Sequence, residues 1–141
     1  MGFEMVLRKA SGGGRFEEVG SYSRAKRVGS FVWVAGTTAI EPSGKLHAPG
    51  DAYAQTRYIL DRIEQALRDV GAEMRHVCRV RAYLTDGADA GGFVRAHGEV
   101  FQGIDPVLTG VTAGLSQPGM VVEIDVDAVI HDDEGNIPGI T

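Results

Sequence analysis

Between Met120 and Ile130 the chain alternates without a break. Met120, Val122, Ile124, Val126, Ala128 and Ile130 fall on one side of a strand, and Val121, Glu123, Asp125, Asp127 and Val129 fall on the other. Such a strand buries one face against a covering layer, while its three acids make the other either a solvated face or one turned toward a polar cleft. Asp51–Val70 supplies the layer. Ile59, Leu60, Ile63, Ala66, Leu67 and Val70 make an apolar stripe at helical spacing, with Asp51 as N-cap and Gly71 as the stop. At about 1.5 Å per residue this helix is about 30 Å long, enough to cover a sheet face. Arg57–Asp61 and Glu64–Arg68 form i,i+4 pairs on its polar side.

The remaining elements follow from local signals. Met5-Val6-Leu7 reads as an edge strand, broken by Ser11-Gly12-Gly13-Gly14. Glu17–Lys26 reads as strand or extended chain, and Phe31–Ala35 as a strand covered on both faces. Pro42-Ser43-Gly44 and Pro49-Gly50 are turns. In Val77–Leu84, Cys78, Val80, Ala82 and Leu84 share one face, which makes Cys78 a buried, inert thiol; Val77, Arg79, Arg81 and Tyr83 share the other. After a loop over Thr85–Gly92, a short helix spans Phe93–Phe101, with Phe93, His97, Val100 and Phe101 on one side. Pro106–Ile130 reads as two strands joined through a type II turn at Gln117-Pro118-Gly119-Met120. The tail His131–Thr141 is expected to fray. This order predicts a single α+β domain over residues 1–141, with 1–16 and 131–141 peripheral and two helices on one face of a mixed or antiparallel sheet.

Charge and composition narrow the function. A net charge of -5 lacks the general electrostatic footprint of a nucleic-acid binder. One cysteine excludes an intrachain disulfide and paired-cysteine metal motifs, and His47, His76 and His131 have no ligand-like spacing, so no metal is expected. The opening residues lack the pattern of a secretory leader, and no apolar run approaches the ~18 residues of a membrane span. The expectation is a soluble cytoplasmic protein.

Several stretches, taken together, resemble the Rid/YjgF superfamily, often labelled endoribonuclease L-PSP-like or translation-inhibitor-like. They are Gly20-Ser21-Tyr22-Ser23 with Val34-Ala35-Gly36, Pro49-Gly50 with Ala54-Gln55-Thr56, and Val80–Asp86. They continue through Phe93–Phe101 and Pro106–Thr109 to Val121-Val122-Glu123-Ile124-Asp125, so the resemblance covers about residues 17–130. It implies a chorismate-mutase-like subunit in a homotrimer with a barrel-like core and small-molecule clefts between subunits. In one branch these clefts hydrolyse reactive enamines and imines without metal or cofactor.

Carried over by position, the water-positioning glutamate is Glu123 and the cleft tyrosine is Tyr22. The serine of the family's Ser-Gly pair is Ala35, and the asparagine of the short helix is His97, a hydrogen-bond or proton donor in this reading. The substrate-gripping stretch after Pro106 holds Leu108 and Thr109 in this chain. The family's arginine falls on Leu108, which cannot grip a carboxylate as a guanidinium does. Arg81 is the substitute anion holder, with an ion pair to Glu123, Asp125 or Asp127 as the competing role. Three functions stay open: an imine/enamine hydrolase, a non-catalytic metabolite-binding or regulatory trimer, and, weakest, an endoribonuclease.

Overall fold

A computed structural model describes residues 7–14 and 16–139. Its strands are β1 (Leu7–Ala10), β2 (Ala25–Val28), β3 (Phe31–Thr37), β4 (Val77–Leu84), β5 (Val107–Thr112) and β6 (Val122–Val129). Helices α1 (Glu17–Gly20), α2 (Ala52–Asp69) and α3 (Ala90–Phe101) complete it, with a 3-10 turn at Met74–His76 before β4. The strands form one sheet in the order β1-β2-β3-β6-β4-β5. All neighbours are antiparallel except β4 and β5, which run parallel. The expected α+β architecture holds. Among the described residues, no helix is long and apolar enough to cross a membrane.

The core lies between the sheet and α2. Ile59, Leu60, Ile63, Leu67 and Val70 of the helix stripe are fully buried against Val32, Val80, Val122, Ile124 and Val126. Full burial of each such side chain contributes roughly 1.5–3 kcal/mol, so this seam dominates the packing. Asp51 caps α2 by accepting from Ala54 N at 2.9 Å, and Gly71 takes a φ of 86° beyond its end. Glu64 pairs with Arg68 at 3.7 Å as expected, whereas Arg57 turns from Asp61 to Glu99 of α3, 3.6 Å away.

The strand pairing corrects the expected hairpin. The turn exists, with Met120 N donating to Gln117 O at 3.2 Å and Gly119 at a φ of 88°. It does not join partners, because among the described residues β5 pairs only with β4, and β6 lies between β3 and β4. The cause is topological. α3 is a helical crossover, the connection that parallel strands require, and it commits β5 to the free edge of β4. Gln55, wholly buried in α2, then anchors the returning segment by donating Nε2 to Gly119 O at 2.8 Å and accepting Val121 N at 3.0 Å.

Other departures have local causes. Glu17–Lys26 is not one extended piece; Glu17 accepts from Gly12 N and Gly14 N, and this closes a short turn of helix before β2. A bulge between Val77 and Arg79 in β4 puts both Val77 and Val80 in the core, which leaves Cys78 exposed instead of buried. α3 begins at Ala90, so Gly91 and Gly92 are helical. Phe31 and Trp33 of β3 are exposed, so this strand is covered on one face within the chain. The tail does not start frayed. Asp132 accepts from Glu134 N at 3.0 Å and Asn136 N at 2.8 Å, closing a turn. Met5 and Val6 of the expected first strand lie outside the described residues.

Candidate functional site

The acidic face of β6 lies opposite the side of the sheet that packs on α2, and among the described residues no helix covers it. Register sets its neighbours: Glu123 stands beside Tyr83, Asp125 beside Arg81, and Asp127 beside Arg79. Two of the three acids are paired. Arg81 donates to Asp125 at 2.7 Å and to Asp127 at 3.0 Å, and Tyr83 Oη donates to the second oxygen of Asp125 at 2.8 Å. These bonds raise the Arg81 pKa, and the Asp125 bond raises that of Tyr83. Arg81 therefore takes the ion-pair role, and its charge is already balanced within the chain.

Glu123 is different. It is half-buried, and no hydrogen bond or ion pair reaches its carboxylate from the described residues. Its seat is a bulge in β3. Val34 stands opposite Val126 and Thr37 opposite Ile124, so β3 fits one extra residue into the same span. The extra backbone brings Gly36 under Glu123, and a Cβ at position 36 would collide with Oε2 and lie 3.2 Å from Cδ. Glycine here serves a close approach, since its φ is an ordinary one. Burial pushes the Glu123 carboxyl above its usual range; the Arg24 charge draws it partly back, and Asp125 adds a smaller upward push.

The bulge is fixed from the β2 side. Arg24 Nη1 donates to Gly36 O at 3.0 Å, Ala35 N donates to Arg24 O at 2.9 Å, and Thr37 Oγ1 donates to Ala35 O at 2.8 Å. Ala35 thus adjoins Glu123. Tyr22, half-exposed with its ring against Gly20, lies two residues before Arg24 at the same end of the sheet.

The other predicted residues are not brought here within one chain. Leu108 stands beside Val80 and so faces the helix side, while its neighbour Thr109 stands beside Arg81 on the open side. Two strand spacings and three residue rows separate Leu108 from Glu123, roughly 14 Å at about 4.8 Å and 3.3 Å per step. His97 sits in α3 between the rings of Phe93 and Phe101, with Nε2 buried and unbonded, and burial lowers its pKa. The sheet lies between it and Glu123. Among the described residues no His, Cys, Asp and Glu group could hold a metal ion. Sequence reasoning did not single out Arg24 or Tyr83. A glycine inside an otherwise apolar strand is the signal that marks the bulge, but nothing local says which side chain occupies the space it leaves.

Solved structures share this architecture. A Mycobacterium tuberculosis protein of the YjgF/YER057c/UK114 family matches with a TM-score of 0.78 and 39% identity, over 88% of this chain and 99% of its own. A protein of unknown function from Pseudomonas aeruginosa matches with a TM-score of 0.76 and 28% identity, over 94% and 99%. The fold is therefore of the YjgF class of α+β folds. In sequence the agreement is as broad, for the chain belongs to the Endoribonuclease L-PSP family, also called YjgF, RutC or Rid, matched over residues 13–130. An uncharacterised protein of Streptomyces coelicolor is 32% identical over 124 residues, 87% of this chain and 92% of the relative. A RutC family protein of Pyrococcus abyssi is 29% identical over 110 residues, 78% of this chain and 87% of the relative.

Proposed function

We propose that the chain is a RidA-like small-molecule cleft protein in which Glu123 activates water for the hydrolysis of a reactive imine or its enamine tautomer. The observation that carries this reading is Glu123 itself: a carboxylate half-buried on a backbone bulge, raised in pKa by burial, and left without a partner among the described residues while Asp125 and Asp127 beside it share Arg81. A raised carboxyl next to open space has the properties of a general acid/base. Glu123 takes a proton from water as its oxygen bonds to the imine carbon. It returns that proton to nitrogen to give the carbinolamine, then carries the carbinolamine hydroxyl proton to the amine as the C–N bond breaks, so ammonia leaves and a carbonyl remains.

Assembly belongs to the same reading. Glu123 with Ala35 lies on the open face, whereas Leu108 and His97 lie on or toward the helix side. A cleft using both sets needs a second copy of the chain. The open face also exposes Val28, Phe31, Trp33, Val107 and Val111, apolar groups that a homotrimeric barrel would cover. We place this trimer in the cytoplasm. A coupled assay that generates 2-aminoacrylate tests the reading. The chain is expected to accelerate pyruvate release, and a rate equal to that in free solution removes the deaminase form of it.

Leu108 favours a second reading, a metabolite-binding or regulatory trimer without turnover, because a neutral side chain stands where the resemblance places a carboxylate-gripping arginine. Saturable ligand binding with no product separates the two. Ribonuclease action, which the family label suggests, is the weakest reading, since the net charge of -5 opposes RNA. RNA left intact by nuclease-free protein disposes of it.

A further inference from the structure

The geometry points to a second binding site, on the helix side of the sheet: a pocket for a short-chain carboxylate, held by Arg62 with Arg24 beside it. A cavity of about 220 Å³ opens between β1, β3 and α2. Ala10, Val34 and Ala66 make its apolar walls, and Arg24 and Arg62 bring guanidinium groups to it. Pockets for drug-sized ligands run to roughly 300–1,000 Å³, so this one suits a metabolite of a few heavy atoms.

The charges are unequally matched. Arg24 has a carboxylate, with Nε 3.6 Å from Glu17 Oε2, and its Nη1 is bonded to Gly36 O. Glu17 also accepts from Ser11 Oγ, Gly12 N and Gly14 N, so its oxygens are occupied. Arg62 is half-buried and donates Nη1 to Thr38 O at 2.6 Å. Among the described residues no carboxylate lies within ion-pair distance of it. Asp69 lines the same cavity; its Oδ1 accepts from the neutral Gln65 amide at 2.8 Å, and it too lies beyond ion-pair distance of Arg62. Burial, and then the charge of Arg24, lower the Arg62 pKa, while Tyr58 and Glu17 draw it back by less. A partly desolvated cation beside a second cation is costly, and an anion relieves that cost.

Shape selects the anion. The planar guanidinium matches the two oxygens of a carboxylate, and the three apolar walls then receive a short alkyl group. A phosphate would turn polar oxygens toward those walls. The site does not depend on the reading of Glu123, although Arg24 touches both places through Gly36 O.

Isothermal titration of the full chain with sodium propionate, at ionic strength held constant with chloride, tests it. Saturable binding is expected. Arg62→Gln keeps a donor for Thr38 O and removes the charge, so it is expected to weaken propionate at least ~10-fold. Ala66→Val fills part of the cavity without touching either guanidinium and is expected to weaken propionate more than formate. No saturable propionate binding up to tens of millimolar overturns the site, as does Arg62→Gln binding like the parent. Inorganic phosphate binding as tightly as propionate overturns the carboxylate assignment. Thermal unfolding of each variant accompanies the titration; should Arg62→Gln fail to fold, unchanged propionate affinity in Ala66→Val is sufficient to overturn the site.

Discussion

Glu123 and Gly36 are packed against each other across the β3–β6 pair, and the carboxylate fills the volume that a side chain at position 36 would need. The contact couples a backbone irregularity to a chemical group. Gly36→Ala is therefore expected to act as a displaced Glu123. The residue it strikes is the end of a flexible side chain and its φ is ordinary, so stability should stay within ~1 kcal/mol of the parent. Imine hydrolysis should fall by roughly 100-fold or more, as expected when a general base is lost, and Glu123→Gln should match it. Steady-state rates with circular dichroism on both variants check this; full activity in Gly36→Ala would separate the bulge from the chemistry.

Glu123 also predicts a pH dependence of stability. Its folded pKa lies above the ordinary value of 4.5, so the fold prefers the protonated form. That preference is fully present below pH 4.5 and is lost as pH rises through the raised folded value. At pH 7 the ionised carboxylate opposes folding, and Glu123→Gln should melt higher than the parent. The gap should close in acid. Melting curves across pH 4 to 8 measure it, and a variant that melts lower at pH 7 contradicts the assignment.

Leu108 lies half-exposed on the edge strand β5, where a longer side chain meets little resistance. Leu108→Arg should change stability by less than ~0.5 kcal/mol. If a carboxylate grip is what the cleft lacks, the change should raise kcat/KM for 2-aminoacrylate by about tenfold, the worth of ~1.4 kcal/mol in the transition state. Kinetics at saturating and limiting substrate decide it. No gain would show that position 108 does not face the substrate carboxylate.

Gln55 ties α2 to the turn before β6 through Ala48 O, Gly119 O and Val121 N. Gln55→Ala leaves Val121 N without its partner, while Ala48 O and Gly119 O each lose one donor and keep Asp51 N and Gly50 N. At ~1–3 kcal/mol for an unsatisfied buried group, the loss should be about 1–3 kcal/mol. Urea unfolding reports it directly.

Trp33 is the sole tryptophan and stands 48% exposed on the open sheet face. In a trimer its emission should be blue-shifted, and Trp33→Glu should place a charge in the interface and yield monomer by sedimentation velocity. A monomeric parent at micromolar concentration would remove the shared cleft.

Much of the layout was legible in the chain. The stripe on α2, its Asp51 cap and the alternation of β6 each depend on neighbours a few residues apart, and each appears as expected. The failures share a cause. Cys78 was misplaced because one bulged residue inverts every side chain before it, and period-two counting has no means of sensing an insertion that its partner strand absorbs. The hairpin failed because a turn motif specifies a reversal of direction and not a pairing partner.

The acidic face of β6 shows the same division. The sequence alone set Glu123, Asp125 and Asp127 on one side of one strand, because alternation is a property of the backbone. It could not rank them. Arg81 and Tyr83 come from a strand some forty residues earlier, and Gly36 from one nearly ninety residues earlier. Register in the folded sheet decided that Asp125 and Asp127 share Arg81 while Glu123 is left half-buried and, among the described residues, unpaired. Partner choice across a sheet is a long-range outcome of packing and chain crossover, so only the tertiary structure could separate Glu123 from its two neighbours.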